Sequence, residues 1–271
     1  MLLRHPLMNG LVVATAILTV GGRYIPGGDQ PGPVLAAAVS VVTSTPASAN
    51  SAESDDETPS STVSGKMASA LQTLTASVRR MSHPQALESA FRGYFAYKTA
   101  HPEDVKKPYL YFVDYGIPST EPRGYVFDME TLEVVDGPFM VAHGRGSSAS
   151  RKGIPTRFSN ANGSYATSLG LYLAQETYGF SGKAAGRSYT SVGLRLLGLS
   201  DGWNDNARDR GVVAHGAPYV TPGKAGQSEG CPAIEQGRAR RLLPKIANGG
   251  MVFLFAPDGD WMSHDPWLAG T

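Results

Sequence analysis

The sequence predicts a mainly β domain with helices packed against its N-terminal side, and three observations carry that prediction. The 271 residues include 32 glycines and 19 prolines, many of them between short apolar runs, which is the punctuation of strands and turns. Near the start, apolar residues recur at helical steps instead: Met67, Leu71, Leu74 and Val78, then Leu87, Phe91 and Phe95. From Pro108 onward the period shifts to strand-length apolar runs closed by glycine or proline.

Each element follows in order. Residues 1–49 contain one acidic residue, Asp29, and two apolar runs, Gly10–Val20 and Val34–Val42. The first is short for a bilayer span, and the second leads into the small-x-small triplet Ala47-Ser48-Ala49. This segment reads as a signal peptide or export segment, with an uncleaved membrane anchor as the rival. Export to the periplasm or cell envelope is expected either way. Residues 50–64 are Ser-rich and acidic, with too little apolar surface to offset the entropy of ordering, and read as a disordered linker. A helical extension is expected over 65–107, with Pro84 opening its second helix. The β-rich domain is expected over 108–257 and a C-terminal tail over 258–271.

Within 108–257 the strand candidates are Tyr109–Asp114, Gly124–Asp128, Leu132–Val135, Phe139–Ala142, Ser168–Leu173, Gly193–Leu197, Gly211–His215 and Met251–Phe255. Glycine-rich loops are expected at Gly144–Gly153 and Gly179–Gly186. A late helix is expected over Ile234–Leu243, limited by Pro244.

Composition narrows the function. Apolar residues make up 41% and charged residues 17%, enough for a sizeable core. The formal charge is +1 with no polybasic run, which argues against nucleic acid as a partner. The single cysteine, Cys231, can form neither an internal disulfide nor a multi-cysteine zinc site. No His-Glu-x-x-His spacing is present, and Gly144-Arg145-Gly146 lacks the strand–turn–helix setting of a nucleotide fingerprint. Neither a metal nor a cofactor is expected. Export would sharpen the question of the cysteine, because an unpaired thiol in an oxidising compartment needs a reason.

The chemistry is concentrated in Val212-Val213-Ala214-His215-Gly216 and Gln227-Ser228-Glu229-Gly230-Cys231-Pro232. An apolar strand ends in histidine, and the only thiol follows sixteen residues later, after a loop that Pro218, Pro222, Gly223 and Gly226 allow to turn back. Cys231 as nucleophile and His215 as base would then meet. The backbone amides of Gly230 and Cys231 are candidates for an oxyanion site. Pro232 and Glu235 fit a helix start, whose dipole would lower the thiol pKa. Spacing alone leaves a second reading open, a core histidine and a thiol packed beneath a loop. Order narrows the class: papain-like peptidases place cysteine before histidine, and sortases separate the pair far more widely.

His215-Gly216 followed by Ser228-Glu229-Gly230-Cys231 resembles the His-Gly, loop, Ser-x-Gly-Cys signature of L,D-transpeptidase (YkuD-like) catalytic domains. The likeness extends to Pro118-Ser119-Thr120, Arg123, Ala142-His143-Gly144-Arg145-Gly146-Ser147, Phe158-Ser159-Asn160, Ser168-Leu169-Gly170 and Asn204-Asp205-Asn206-Ala207-Arg208, which are similar to a murein L,D-transpeptidase subgroup. The resemblance implies a β-rich fold and a thioester acyl-enzyme formed on peptidoglycan stem peptides. Cys231 would attack the carbonyl between an L-centre and a terminal D-residue, and His215 would act as base and then as acid. It also implies that a backbone carbonyl orients the imidazole. The alternatives are an L,D-carboxypeptidase using the same pair and a non-catalytic wall-binding module. Better-known members carry Arg or Asn just after the cysteine, where this chain has Pro232 and Ala233. Substrate grip is therefore sought at Ser228, His143, Asn204, Arg208 and Arg210, against plainer roles as loop ties and local ion pairs.

Overall fold

The computed structural model describes residues 59–268. The predicted export segment and most of the linker lie outside them. Helix α1 (Pro59–Leu74) begins inside the span expected to be linker. Proline suits a first helical turn, where its missing N–H leaves no hydrogen bond unmade. The helix stops at Leu74, before the Val78 of the expected stripe, and Val78 itself is extended. Helix α2 (Ala86–Ala100) buries Leu87, Phe91, Tyr94 and Phe95. Phe91 meets Phe127 edge-on at 5.6 Å, and the α-carbon of Gly93 packs against the Phe253 ring, so the helix lies on the sheet.

That sheet has eight strands. Strands β1 (Tyr109–Asp114) and β2 (Gly124–Asp128) form as the sequence predicts. β3 (Glu133–Phe139) runs on where two separate strands were expected. β4 (His143–Gly144) leaves for a second small sheet. β5 (Gly170–Ala184) and β6 (Arg187–Gly198) form a long hairpin, and β7 (Val213–Ala217) follows. The remaining strands are β8 (Gln227–Ser228), β9 (Ala233–Glu235) and β10 (Met251–Phe255). The order in the large sheet is β3-β2-β1-β10-β5-β6-β7-β9, while β4 and β8 pair as the small one. β10 lies parallel to β1 and antiparallel to β5, and all five of its residues are buried, as a strand covered on both faces requires.

The β5–β6 hairpin differs most from expectation, because Gly179–Gly186 was read as a loop. Gly182 pairs with Tyr189 and Gly193 with Tyr178 across the ladder. A Cβ on either glycine would come within 2.7 Å of that tyrosine ring. The glycines thus leave room for aromatic rings to lie across them and supply the packing the strand needs. The turn uses Ala185 and Gly186, both at positive φ, the pattern of a tight two-residue hairpin.

Helix α3 (Gln236–Ile246) starts two residues later than expected and contains Pro244 rather than ending before it. It presses Ala239, Leu242, Leu243 and Ile246 into the core. The expected tail also proves structured. Helix α4 (Gly259–His264) brings Trp261 into full burial between Phe253 and Phe255, and its indole N–H donates to the buried Asp265 at 2.7 Å. Among the described residues, no helix is long and apolar enough to cross a membrane. We expect Trp261→Ala to cost roughly 3–5 kcal/mol of folding stability, since it empties a core site and removes one of the donors that the buried Asp265 carboxyl accepts from. Denaturant unfolding measures this, and a loss below about 1 kcal/mol would mean that the C-terminal helix is not part of the core.

Candidate active site

β7 lies between β6 and β9, with His215 in register with Gly193 on one side and Ala233 on the other. The residue after the histidine must be glycine. A Cβ at Gly216 would sit 2.3 Å from Ser191 Oγ and 2.8 Å from Ala239 Cβ, because α3 packs directly on the strand. His215 is 3% exposed, and the Phe180 ring stacks on its imidazole at 4.1 Å and 18°. Its Nδ1 lies 3.2 Å from the Gly216 carbonyl. A carbonyl only accepts, so Nδ1 carries the proton and Nε2 is left with its lone pair. Burial lowers the His215 pKa to about 4, with the Gly216 carbonyl opposing. The ring is a neutral base at pH 7.

The loop bearing Cys231 is held from several sides. Ser228 Oγ donates to the Cys231 carbonyl at 2.6 Å and accepts the Gly230 N–H at 3.2 Å. The Arg145 N–H donates to the Ser228 carbonyl at 2.8 Å. Close approach makes Gly144 necessary, since a Cβ there would meet Tyr165 O at 2.3 Å and Gly230 Cα at 2.8 Å. The Gly230 φ of +121° is itself glycine territory. The half-buried thiol faces the Gly211 carbonyl at 3.9 Å. Burial pushes its pKa up, while the Val213 amide and the Arg210 charge pull the other way.

Two expectations about the thiol change. Residues 233–235 form β9, parallel to β7, and the helix starts only at Gln236, so Pro232 does not open a helix beside the sulfur. The Gly230 amide is committed to Ser228 Oγ, which leaves the Cys231 amide as the nearby backbone donor of the expected pair.

Alternation along β7 and the chain entering β9 puts His215 and Cys231 on one face, two residues apart in register. Both line a cleft of about 630 Å³. No hydrogen bond joins them among the described residues. The thiol lies against the Gly211 carbonyl instead.

The substrate-binding candidates divide. Arg210 and Ser228 line the cleft. Arg210 is pinned there: Nη1 donates to Ser159 O and Ser168 Oγ, and Nη2 to Ser164 Oγ and Ala166 O. His143 is fully buried and lines no part of the cleft. Its Nδ1 accepts from the Arg123 guanidinium at 3.0 Å, and burial together with that charge lowers its pKa to about 4. Asn204 is also fully buried, receiving the Ser200 N–H and donating to the Leu171 carbonyl, both at 2.9 Å. Arg208 bonds Gln175 on the exterior and is not a cleft residue. Asn204 thus serves buried backbone groups, His143 the buried Arg123 guanidinium, and Arg208 an exterior side-chain contact.

Sequence reasoning missed Phe180, Lys183 and Tyr189 on the hairpin, and Arg145, Arg151 and Tyr165 on the opposite side, all lining the cleft. Arg145 stacks over the Tyr165 ring at 3.6 Å. The usable signal for the first three was glycines interleaved with aromatic residues. Among the described residues, His101, Glu103 and Asp104 bring possible metal-ligand atoms within 4.8 Å of one another. They follow α2, and none lines the cleft.

Residues 79–255, close to two thirds of the chain, match the family model described as "L,D-transpeptidase catalytic domain". No curated protein matches the sequence. Among solved structures, an L,D-transpeptidase from Mycobacterium smegmatis is 16% identical over 55% of this chain and 59% of its own, with a TM-score of 0.33. One from Xylanimonas cellulosilytica DSM 15894 is 16% identical over 55% and 61%, at 0.33. One from Stackebrandtia nassauensis is 14% identical over 70% and 77%, at 0.34. The chain thus spans about three fifths of the length of the first of these.

The site makes a titration prediction. The His215 ring is expected to protonate with a midpoint near pH 4, and Phe180→Ala, which opens one ring face to water, to move that midpoint up toward 6.5. Ring-proton NMR against pH measures both, and a wild-type midpoint near 6.5 would remove the buried neutral base.

Proposed function

This chain belongs to the L,D-transpeptidase catalytic domain family, and from that premise we propose that it is a cysteine acyltransferase acting on peptidoglycan stem peptides. The observation that carries the reading is that Cys231, two residues before β9, and His215 on the neighbouring parallel strand β7 line a single cleft. The neutral imidazole takes the thiol proton at Nε2 as Sγ attacks the carbonyl before the terminal D-residue. The Cys231 amide donates to the developing oxyanion. Collapse breaks the C–N bond, His215 returns the proton to the leaving amine, and a thioester remains on Cys231. An acceptor amine from a second stem, or water, then releases the acyl group.

A high thiol pKa beside a low imidazole pKa favours an uncharged resting pair over a thiolate–imidazolium. Proton transfer is then coupled to attack instead of preceding it. Because stem peptides lie outside the cytoplasmic membrane, the apolar runs within residues 1–49 are read as an export signal to the periplasm or cell envelope.

Incubation with a carbapenem is expected to give one covalent adduct by intact mass, absent in Cys231→Ser. With a tetrapeptide stem and an acceptor amine, the cross-linked product is expected; free D-amino acid without cross-link would identify a hydrolase, and no adduct or product would end the enzyme reading. The acylation rate should rise through about pH 4, as His215 loses its proton, and then stay within about threefold from pH 5.5 to 7.5. In His215→Gln it should fall by at least roughly 100-fold at pH 6 and climb with pH as free thiolate forms. A wild-type rate rising tenfold per unit through neutrality would show that His215 is not the base.

A further inference from the structure

The charge of the cleft is lopsided. Arg145, Arg151, Lys183 and Arg210 line it against one carboxylate, Glu229, in a chain whose formal charge is only +1. Two of these cations are already engaged. Arg145 stacks on Tyr165 and lies 3.6 Å from Glu229, and both terminal nitrogens of Arg210 are bound to loop acceptors. Arg151 and Lys183 differ: both are exposed, and neither has an acidic partner among the described residues. They come from separate elements. Ser119 Oγ donates to the Arg151 carbonyl at 2.7 Å, fixing the backbone of its loop, while Lys183 pairs with Ser188 just before the β5–β6 turn.

We propose that Arg151 and Lys183 are specificity determinants that bind free side carboxylates of the stem peptide, so that the cleft selects carboxylate over carboxamide. This rests on the reading that the cleft receives stem peptides. A carboxamide matches a carboxylate in shape but is neutral and presents an NH2 donor in place of one acceptor oxygen, so steric fit cannot separate the two and charge-assisted hydrogen bonds from cations can. Neither side chain holds the fold together, since each is exposed and has no acidic partner among the described residues, and the positive field they leave uncancelled is open to a ligand.

Binding is measured by titration calorimetry on Cys231→Ala, which keeps the cleft and cannot be acylated. The probes are a tetrapeptide stem with free side carboxyl groups and the same peptide with these groups as carboxamides. The carboxylate form is expected to bind about tenfold tighter, with the preference shrinking at high salt. Adding Arg151→Gln and Lys183→Gln is expected to bring the preference below twofold with the carboxamide Kd unchanged, whereas Lys106→Gln, away from the cleft, leaves it intact. Equal Kd values, a preference that survives the double substitution, or binding of neither peptide overturns the proposal. A preference seen here, beside wild-type protein that turns over neither peptide, would uphold this selectivity and sink the transpeptidase reading. Equal Kd values with turnover of both would do the reverse.

Discussion

A parallel ladder of three residues, His215–Ala217 against Ala233–Glu235, fixes the geometry on which the chemistry depends. Side chains alternate along a strand, so a slip of one residue would turn the thiol to the opposite face of the sheet. So short a ladder cannot hold its register alone. Ala233 is also bonded from its other side, where its carbonyl accepts the Ala142 N–H at 2.8 Å. The small sheet of β4 and β8 then ties the Ser228 loop to His143-Gly144. Behind this lies Arg123, which is fully buried. It donates to the carbonyls of Val141 and Ile117 and to His143 Nδ1. A buried charge is costly unless surrounded by acceptors, and here the acceptors are the backbone that positions the loop. His143 takes part as a neutral acceptor. The residue that resembled a substrate ligand belongs to the scaffold of the Cys231 loop.

The same burial sets the reactivity of the pair. Desolvation disfavours imidazolium and thiolate alike, pushing one pKa down and the other up. Phe180 contributes through its ring on the imidazole, and Phe180 belongs to the long hairpin whose tip also carries Lys183. Basicity at His215 and charge at the cleft edge are therefore both set by one supersecondary element. Any movement of that hairpin would alter the two together.

Much of this was legible in the sequence, for identifiable reasons. Tyr109–Asp114, Gly124–Asp128 and Met251–Phe255 are short apolar runs bounded by breakers, and all three formed as read. The catalytic candidates were found because a strand ending in His-Gly and a lone thiol after glycine are local patterns. The hairpin tip was missed because Gly182 and Gly186 signal a loop unless one sees Tyr189 folded across the first. The C-terminal helix was missed because a single Trp261 carries its anchoring, too little for a periodicity to show. Arg208, Asn204 and His143 were polar residues near the right motif, and only the contacts show that they bind Gln175, backbone groups and Arg123 instead of lining the cleft.

The second position after the cysteine shows how a motif departure can be accommodated by the fold. Ala233 is fully buried between the His215 strand and Ala142, so a long cationic side chain there would have no space. Positive charge reaches the neighbourhood by another route. The Arg210 guanidinium comes within 3.7 Å of where a Cβ on Gly230 would sit, and its charge favours the ionised thiol. With four of its N–H donors held by Ser159, Ser164, Ala166 and Ser168, the group keeps its orientation without help from substrate. A charge fixed in advance stabilises a developing anion with little reorganisation, whereas a mobile arginine must first be ordered. The departure at 232–233 and the immobilised Arg210 are thus two aspects of one arrangement, in which the loop before the His215 strand supplies the charge that the residues after Cys231 do not.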